Sequence, residues 1–509
     1  MLRGELFDMS KSKTLTSNFI FSLINQILAI VLPLITTPYV ARVLGAVGNG
    51  QYSYAYSIAQ YFVIFASLGF SSYGQREIAK CDNDIKKRSC VFWELFILRF
   101  IVTLFSFAVF LIFGFSIGYG ISSWLLMFAV SINIISVAFD LSFFFQGMEE
   151  FKMLAIRTII IRLILVSLIF VFVRTANDVW LYALISVLAS LGANLVMFLS
   201  LRGRVVWPRW SNLQFKKHFK PVLLLFIPNI AITLYSILDK TMINILTNGT
   251  QEFKDYSNGC YEQAYKINSL ALIFVTVISS IFQSRNSILH AKNDEEGVKR
   301  NVNFAINYVW HVSVPLIFGF VVLSENLTTW FFGPGYDDTP LLMILMAPRF
   351  LFSGLIEIFT TQTLLVYNKE KYISISTRIA AVINICLNLI LIPFIGAVGA
   401  AIATAVCELA NCMFVFYIAK KEKYFNLKDF FKISIKPLIS GLIMFAVIFI
   451  IQFYWNFSIL SFAVIMLVGI IVYSLTLLLM RDNFAIFVVQ KFFIILKKYF
   501  SSIKGRIKK

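Results

Sequence analysis

Residues 49–58 read NGQYSYAYSI and residues 258–267 read NGCYEQAYKI, six of ten positions agreeing at an offset of 209. The agreement continues without a gap. Ile64 meets Ile273, Phe65 meets Phe274, Ser71 meets Ser280 and Arg76 meets Arg285, giving ten identities over the 28 positions from Asn49 to Arg76. Asn-Gly and Arg are not background residues in so apolar a chain, so the match reads as an internal duplication. A weaker echo follows at an offset of 221, where Glu149, Phe151 and Arg157 fall opposite Glu370, Tyr372 and Arg378.

What lies inside that offset decides the architecture. Of the 509 residues 59% are hydrophobic and 14% charged, and the mean hydropathy is +0.81. A soluble chain carries about 25% charged residues. Phe100–Phe139 and Leu438–Met480 contain no Asp, Glu, Lys or Arg. Each run is long enough for nearly two membrane helices of about 20 residues. Apolar blocks of spanning length fall at 18–40, 52–74, 91–116, 121–145, 154–173, 179–200, 221–246, 264–284, 303–323, 341–366, 373–393, 397–418, 433–453 and 457–480. The spacing therefore predicts an all-α polytopic membrane protein of about 14 transmembrane helices with short connections.

Charge orients it. Alternate connections carry Arg76, Lys80, Lys86 and Lys87, then Arg202, Arg204, Lys216 and Lys217, then Lys420, Lys421 and Lys423, whereas the opposite set holds only Arg42, Arg174, Lys254 and Lys266. Basic connections stay cytoplasmic, which puts both termini inside. The net charge of +19 is then topology and attraction to anionic headgroups, not a nucleic-acid surface. The basic tail after Met480 reads as an interfacial helix or an extension of the last span. The N-terminus lacks the pattern of a cleaved signal. The six cysteines show no CxxC pair and read as reduced packing residues, with no metal or cofactor implied.

The offset holds six spans, an even number, so both copies enter the membrane in the same sense. This predicts two six-helix lobes related by a pseudo-two-fold axis along the membrane normal: an N-lobe over 1–210 and a C-lobe over 211–425. Helices 13–14 and the basic tail occupy 426–509 outside the duplication. Parallel repeats of this kind enclose a substrate site and rock against each other. Pro33 and Pro38 in the first span and Pro228 in the seventh mark irregular helices, as cavity lining or as static kinks. In each repeat Asn-Gly is expected to form the turn into the second helix, with the Tyr-x-x-Ala-Tyr face packing or lining below.

Ionisable residues inside spans each cost about 3 kcal/mol if they face lipid, so they pair, snorkel or face an interior. Arg99 lies eleven residues beyond Arg88, roughly 16 Å along a helix and near the midplane. Arg99, Arg162, Lys240, Arg349, Arg42 and Arg285 are the candidate contacts for an anionic substrate head such as a diphosphate, because Arg offers a planar fork and Lys a point charge. The alternative is intramembrane ion pairing that sets helix packing. Asp140, Asp239, Glu357 and Glu408 are candidate coupling-ion sites, or partners of those cations. No GxxxxGK[ST] occurs, His218, His290 and His311 form no metal motif, and no large outer loop is present, so an enzyme is poorly supported.

The runs PLITTPYVARVLGAVGNGQYSYAYSI, FFFQGMEEFK, ILDKTMI, EQAYKI and NLILIPFIGAVGAAIATAVCE, in this order, resemble bacterial polysaccharide repeat-unit flippases of the multidrug/oligosaccharidyl-lipid/polysaccharide exporter superfamily. The resemblance runs from about Asn18 to Lys421. It implies two lobes around a cationic cavity in the bacterial plasma membrane and alternating access for a polyprenyl-diphosphate-linked oligosaccharide. Its partners would be the lipid bilayer and the polysaccharide polymerase and chain-length machinery, with no nucleic acid. Two departures stand out: NGTQEFKD lengthens one outer connection, and Ser284–Asn286 reads SRN where relatives often carry a proline beside the arginine. The competing readings are a small-molecule or cation antiporter of the same superfamily and a membrane-embedded polymerase or acyltransferase.

Overall fold

The computed structural model describes residues 2–81, 84–116, 121–148, 150–208, 210–454, 459–491 and 494. They form α1 (Leu2–Ser67), α2 (Phe70–Ala79), α3 (Ile85–Ser116), α4 (Ile121–Ala138), α5 (Ser142–Gly147), α6 (Phe151–Phe172), α7 (Val179–Leu199) and α8 (Lys216–Leu246). The chain continues through α9 (Gln251–Ala291), α10 (Glu295–Phe331), α11 (Thr339–Met346), α12 (Arg349–Glu357), α13 (Glu370–Lys421), α14 (Leu427–Tyr454) and α15 (Ile459–Leu479). No strand occurs among the described residues. Among the described residues ten segments are long and apolar enough to cross a membrane. Among the described residues the expected spans fall on these helices: α1 carries the first and most of the second, which ends in α2, α13 carries two, and spans 4 and 10 are built in pieces.

The pieces have local causes. Pro348 follows α11 and stands immediately before α12, because a proline cannot donate into the preceding turn. A π-helical stretch, Ile358–Leu364, then closes the span. Span 4, expected to be continuous, breaks between α4 and α5 at Phe139–Leu141. Asp140 Oδ1 there accepts from the Ser142 backbone N–H at 3.1 Å and from its hydroxyl at 2.5 Å.

The chain packs into two compact units, Met1–Glu262 with Phe332–Gly335 and Ile392–Gly396, and Gln263–Phe331 with Tyr336–Leu391 and Ala397–Lys509. In the first unit, one core gathers Leu44, Tyr54, Ile58, Phe110, Val130, Ile134 and Val179 from α1, α3, α4 and α7. A second gathers Phe70, Phe92, Phe143, Phe144 and Phe145 from α2, α3 and α5. The second unit has its own core of α10, α12, α13, α14 and α15 side chains, among them Val302, Val309, Phe350, Val415, Phe430 and Met444.

The turn in α1 corrects one expectation. Asn49 and Gly50 are helical; the chain bends four residues earlier, at Gly45, whose φ of 66° suits only glycine without strain. Asn49 Nδ2 donates to the Gly45 carbonyl at 2.8 Å, serving the bend instead of making it. Asn258 and Gly259 likewise lie inside α9. Pro33 and Pro38 sit within α1. The Pro228 side chain lies outside the described residues, as do 495–509 of the expected interfacial tail.

Candidate functional site

In the first unit α1 and α9 cross at the repeated glycines. A Cβ on Gly50 would overlap the Asp255 carbonyl oxygen and stand 2.9 Å from Gly259 N; one on Gly259 would overlap the Ala46 carbonyl oxygen and stand 3.1 Å from Gly50 N. Ala46 and Asp255 are themselves 209 residues apart, so each copy meets the other through the same positions. Only residues without a side chain permit this approach of two backbones.

A polar network is built on that crossing. Ser53 Oγ donates to Glu262 Oε2 at 3.1 Å, and Lys240 Nζ reaches the same oxygen at 2.5 Å. The Lys240 and Glu262 side chains are 17% and 10% exposed. Beside them Tyr261 OH donates to Asp239 Oδ2 at 2.6 Å, and Tyr61 OH donates to Thr241 Oγ1 at 2.9 Å. One turn away Asp255 Oδ1 accepts from Asn244 Nδ2 at 2.7 Å and Gln251 Nε2 at 3.0 Å. Asp255 also lines a cleft of about 470 Å³ with Gln51, Tyr54, Asn177, Trp180 and Gln251.

Arg99 and Asp140 come together in this unit, at the break in span 4. Arg99 Nη1 donates to the Asp140 carbonyl at 2.5 Å and Nη2 to Oδ2 at 3.3 Å, with the guanidinium 2% exposed. Breaking a helix in the apolar phase frees carbonyls that must be satisfied, and Arg99 satisfies one. Arg162 on α6 is half-buried and Arg42 on α1 is exposed, its stem lying against Gly333.

In the second unit Arg349, at the start of α12, donates from Nε to Glu408 Oε1 at 3.3 Å and from Nη2 to Tyr265 OH at 3.5 Å. Its guanidinium stands 4.8 Å from the Tyr265 ring centre. The candidate cation and candidate carboxylate are thus one pair, 11% and 10% exposed, with an aromatic face beside them. Glu357 is half-buried at the end of α12, and Arg285 is exposed on α9. Elsewhere in this unit α10, α14 and α15 frame an apolar groove of about 720 Å³, lined by Pro315, Phe320, Trp330, Ile448, Met466 and Tyr473 among others.

Sequence patterning does not single out Glu262, whereas Tyr261 and Tyr265 are the tyrosines of the expected Tyr-x-x-Ala-Tyr face. The signal that could have found Glu262 is a carboxylate in an apolar helix, at a repeat position where the other copy has Ser53. Among the described residues no group of His, Cys, Asp and Glu is arranged to hold a metal ion.

The profile of the polysaccharide biosynthesis protein family matches residues 15–283, more than half of the chain, and that of the lipid II flippase MurJ matches residues 161–473. The chain belongs to the polysaccharide flippase family. This family lies within the multidrug/oligosaccharidyl-lipid/polysaccharide exporter superfamily. Among relatives of these flippases, a putative O-antigen transporter of Escherichia coli K12 is 24% identical over 79% of this chain and 96% of its own length. A probable low-salt glycan biosynthesis flippase of Haloferax volcanii is 25% identical over 44% of this chain and 48% of its own. The fold matches lipid II flippase MurJ in an inward closed conformation, with a TM-score of 0.71 at 18% identity over 91% of this chain and 99% of that one. It also matches an inward-facing multidrug transporter, with a TM-score of 0.61 at 13% identity over 79% and 97% of the two chains.

Proposed function

We propose that this flippase-family chain moves a polyprenyl-diphosphate-linked oligosaccharide from the cytoplasmic to the outer leaflet of a bacterial plasma membrane by alternating access of its two repeats, 1–210 and 211–425. The observation that carries the reading is the apolar groove of about 720 Å³ in a chain that also holds cations at membrane depth. A substrate with a long hydrocarbon tail and a diphosphate head needs both. The tail would lie along α10, α14 and α15, where apolar contact requires no directional partner. The head would draw on Arg349, in the same unit as the groove and held beside a carboxylate that can release it, or on Arg285 of that unit; Lys240, Arg42 and Arg162 are the candidate contacts of the first unit. Arg99, wedged into the span 4 break, would hold the fold around the site. Asp239, Asp140, Glu357 and Glu408 would serve as partners of the cations or as coupling-ion sites.

The testing experiment is surface-polysaccharide export in cells deprived of their own flippase and supplied with single Ala variants at Arg99, Arg162, Lys240 and Arg349. At least one inserted, stable variant should export severalfold less. Normal export by all four would overturn the cationic-head reading.

A further inference from the structure

Two buried histidines differ in what surrounds their rings. His218 in the first unit has Nε2 at 2.7 Å from Glu94 Oε2 and Nδ1 at 2.9 Å from Tyr73 OH. A neutral imidazole satisfies both, donating to the carboxylate and accepting from the phenol. His311 in the second unit has no such option. Its Nδ1 lies 2.7 Å from the Asn307 carbonyl oxygen and its Nε2 lies 3.0 Å from Asp482 Oδ1. The first partner only accepts, and a carboxylate only accepts, so the two contacts together require one more proton than a neutral imidazole and an ionised Asp supply. Asp482 Oδ1 already receives the Phe484 and Ala485 backbone N–H groups, both at 2.9 Å. Its lone pairs are therefore occupied as acceptors, and the extra proton belongs between the ring and the carboxylate.

We propose that His311 and Asp482 form a proton-binding site that fastens the segment 483–491 to α10 beside the apolar groove. Asp482 starts that helical segment, and Phe484 and Phe487 pack on Phe304 of α10 at 5.3 and 6.0 Å. The Phe484 ring also stands 4.7 Å from His311. His311 and Tyr473 both line the groove, so loss of the proton alters its wall as well as the latch. The other titratable or charged groups facing the pair are few. Tyr473 on α15 donates to the His311 carbonyl at 3.1 Å, and Lys436 on α14 donates to the Arg481 carbonyl at 2.8 Å. Lys491 lies over Phe487 on the segment itself. Neither Tyr473 nor Lys436 supplies the missing donor to Asp482 or the ring. Burial works to raise the Asp482 carboxyl, yet the His311 hydrogen bond and the Ala485 N–H hold it below the ordinary range. The site stands whatever the cargo of the transporter is.

Hydrogen exchange of 483–491 in the purified full-length chain, corrected for intrinsic rates, tests this. As pH is raised, exchange should rise about tenfold as the charge-assisted bond is lost. Asp482→Asn keeps an oxygen that can cap the helix but carries no charge to pair with the ring, so its exchange should not change with pH. His311→Gln, which has no titrating ring, should likewise be flat. A wild-type profile without the rise, or the same rise in both variants, would overturn the site.

Discussion

Ser53 and Glu262 stand 209 residues apart, occupy the same position of the two repeats, and are hydrogen-bonded to each other at 3.1 Å. A local pseudo-two-fold therefore passes through the α1–α9 crossing, with Gly50 and Gly259 back to back on it. Symmetry of steric constraint follows. Gly50→Ala and Gly259→Ala should each destabilise the purified protein by about 1–3 kcal/mol, the usual range for overpacking. Gly192→Ala, in α7 with nothing within 4 Å of the added carbon, should be neutral or slightly stabilising. Thermal unfolding in detergent distinguishes these outcomes.

Lys240 and Glu262 should behave as one unit. Removing either partner leaves a largely buried charge unmatched, costing about 3 kcal/mol. Lys240→Met or Glu262→Gln alone should lower the midpoint, and the double variant should recover most of the loss. A double-mutant cycle giving no coupling would mean that the pair does not exist in the folded protein.

Arg349 is bound by shape as well as charge. Lys cannot reproduce a guanidinium that reaches Glu408 and Tyr265 while lying over a ring. Arg349→Lys should therefore transport about tenfold more slowly than wild type, a loss of one good charge-assisted hydrogen bond. Equal rates for Lys and Arg would reduce the residue to a point charge.

Outside the spans, Lys369 pairs with Glu422, and that hydrogen bond raises the Lys369 ammonium above its ordinary value. A raised lysine stabilises the fold at all pH below its unfolded value and loses that contribution as pH rises through the folded one. The difference in midpoint between wild type and Lys369→Met should thus be constant through neutral pH and vanish in strong alkali. A difference that instead grew with pH would contradict the pairing.

The positions of the spans were legible because hydropathy alone fixes which stretches can lie in hydrocarbon, and the even offset between repeats followed from counting them. The helix breaks were less so. Phe139–Leu141 is apolar around Asp140, and the Arg99 side chain that satisfies the Asp140 carbonyl at the break comes from 41 residues away. The turn was misplaced from Gly45 to Asn49-Gly50 because Asn-Gly is a strong turn signal in isolation, whereas here the glycine serves a helix crossing. Partner choice was not legible at all. Periodicity places Glu262 on a face of α9, but whether Lys240 or a candidate cation elsewhere meets it depends on how α8 packs, which no local pattern encodes.

The most direct measurement is the sidedness of a fluorescent polyprenyl-diphosphate oligosaccharide in sealed vesicles containing the purified chain. Lipid in the inner leaflet, shielded from a membrane-impermeant reductant in empty vesicles, should become fully reducible when the protein is present, and a compound that blocks the apolar groove should slow this. An inner pool that stays shielded beside folded, correctly inserted protein would contradict the proposed transport.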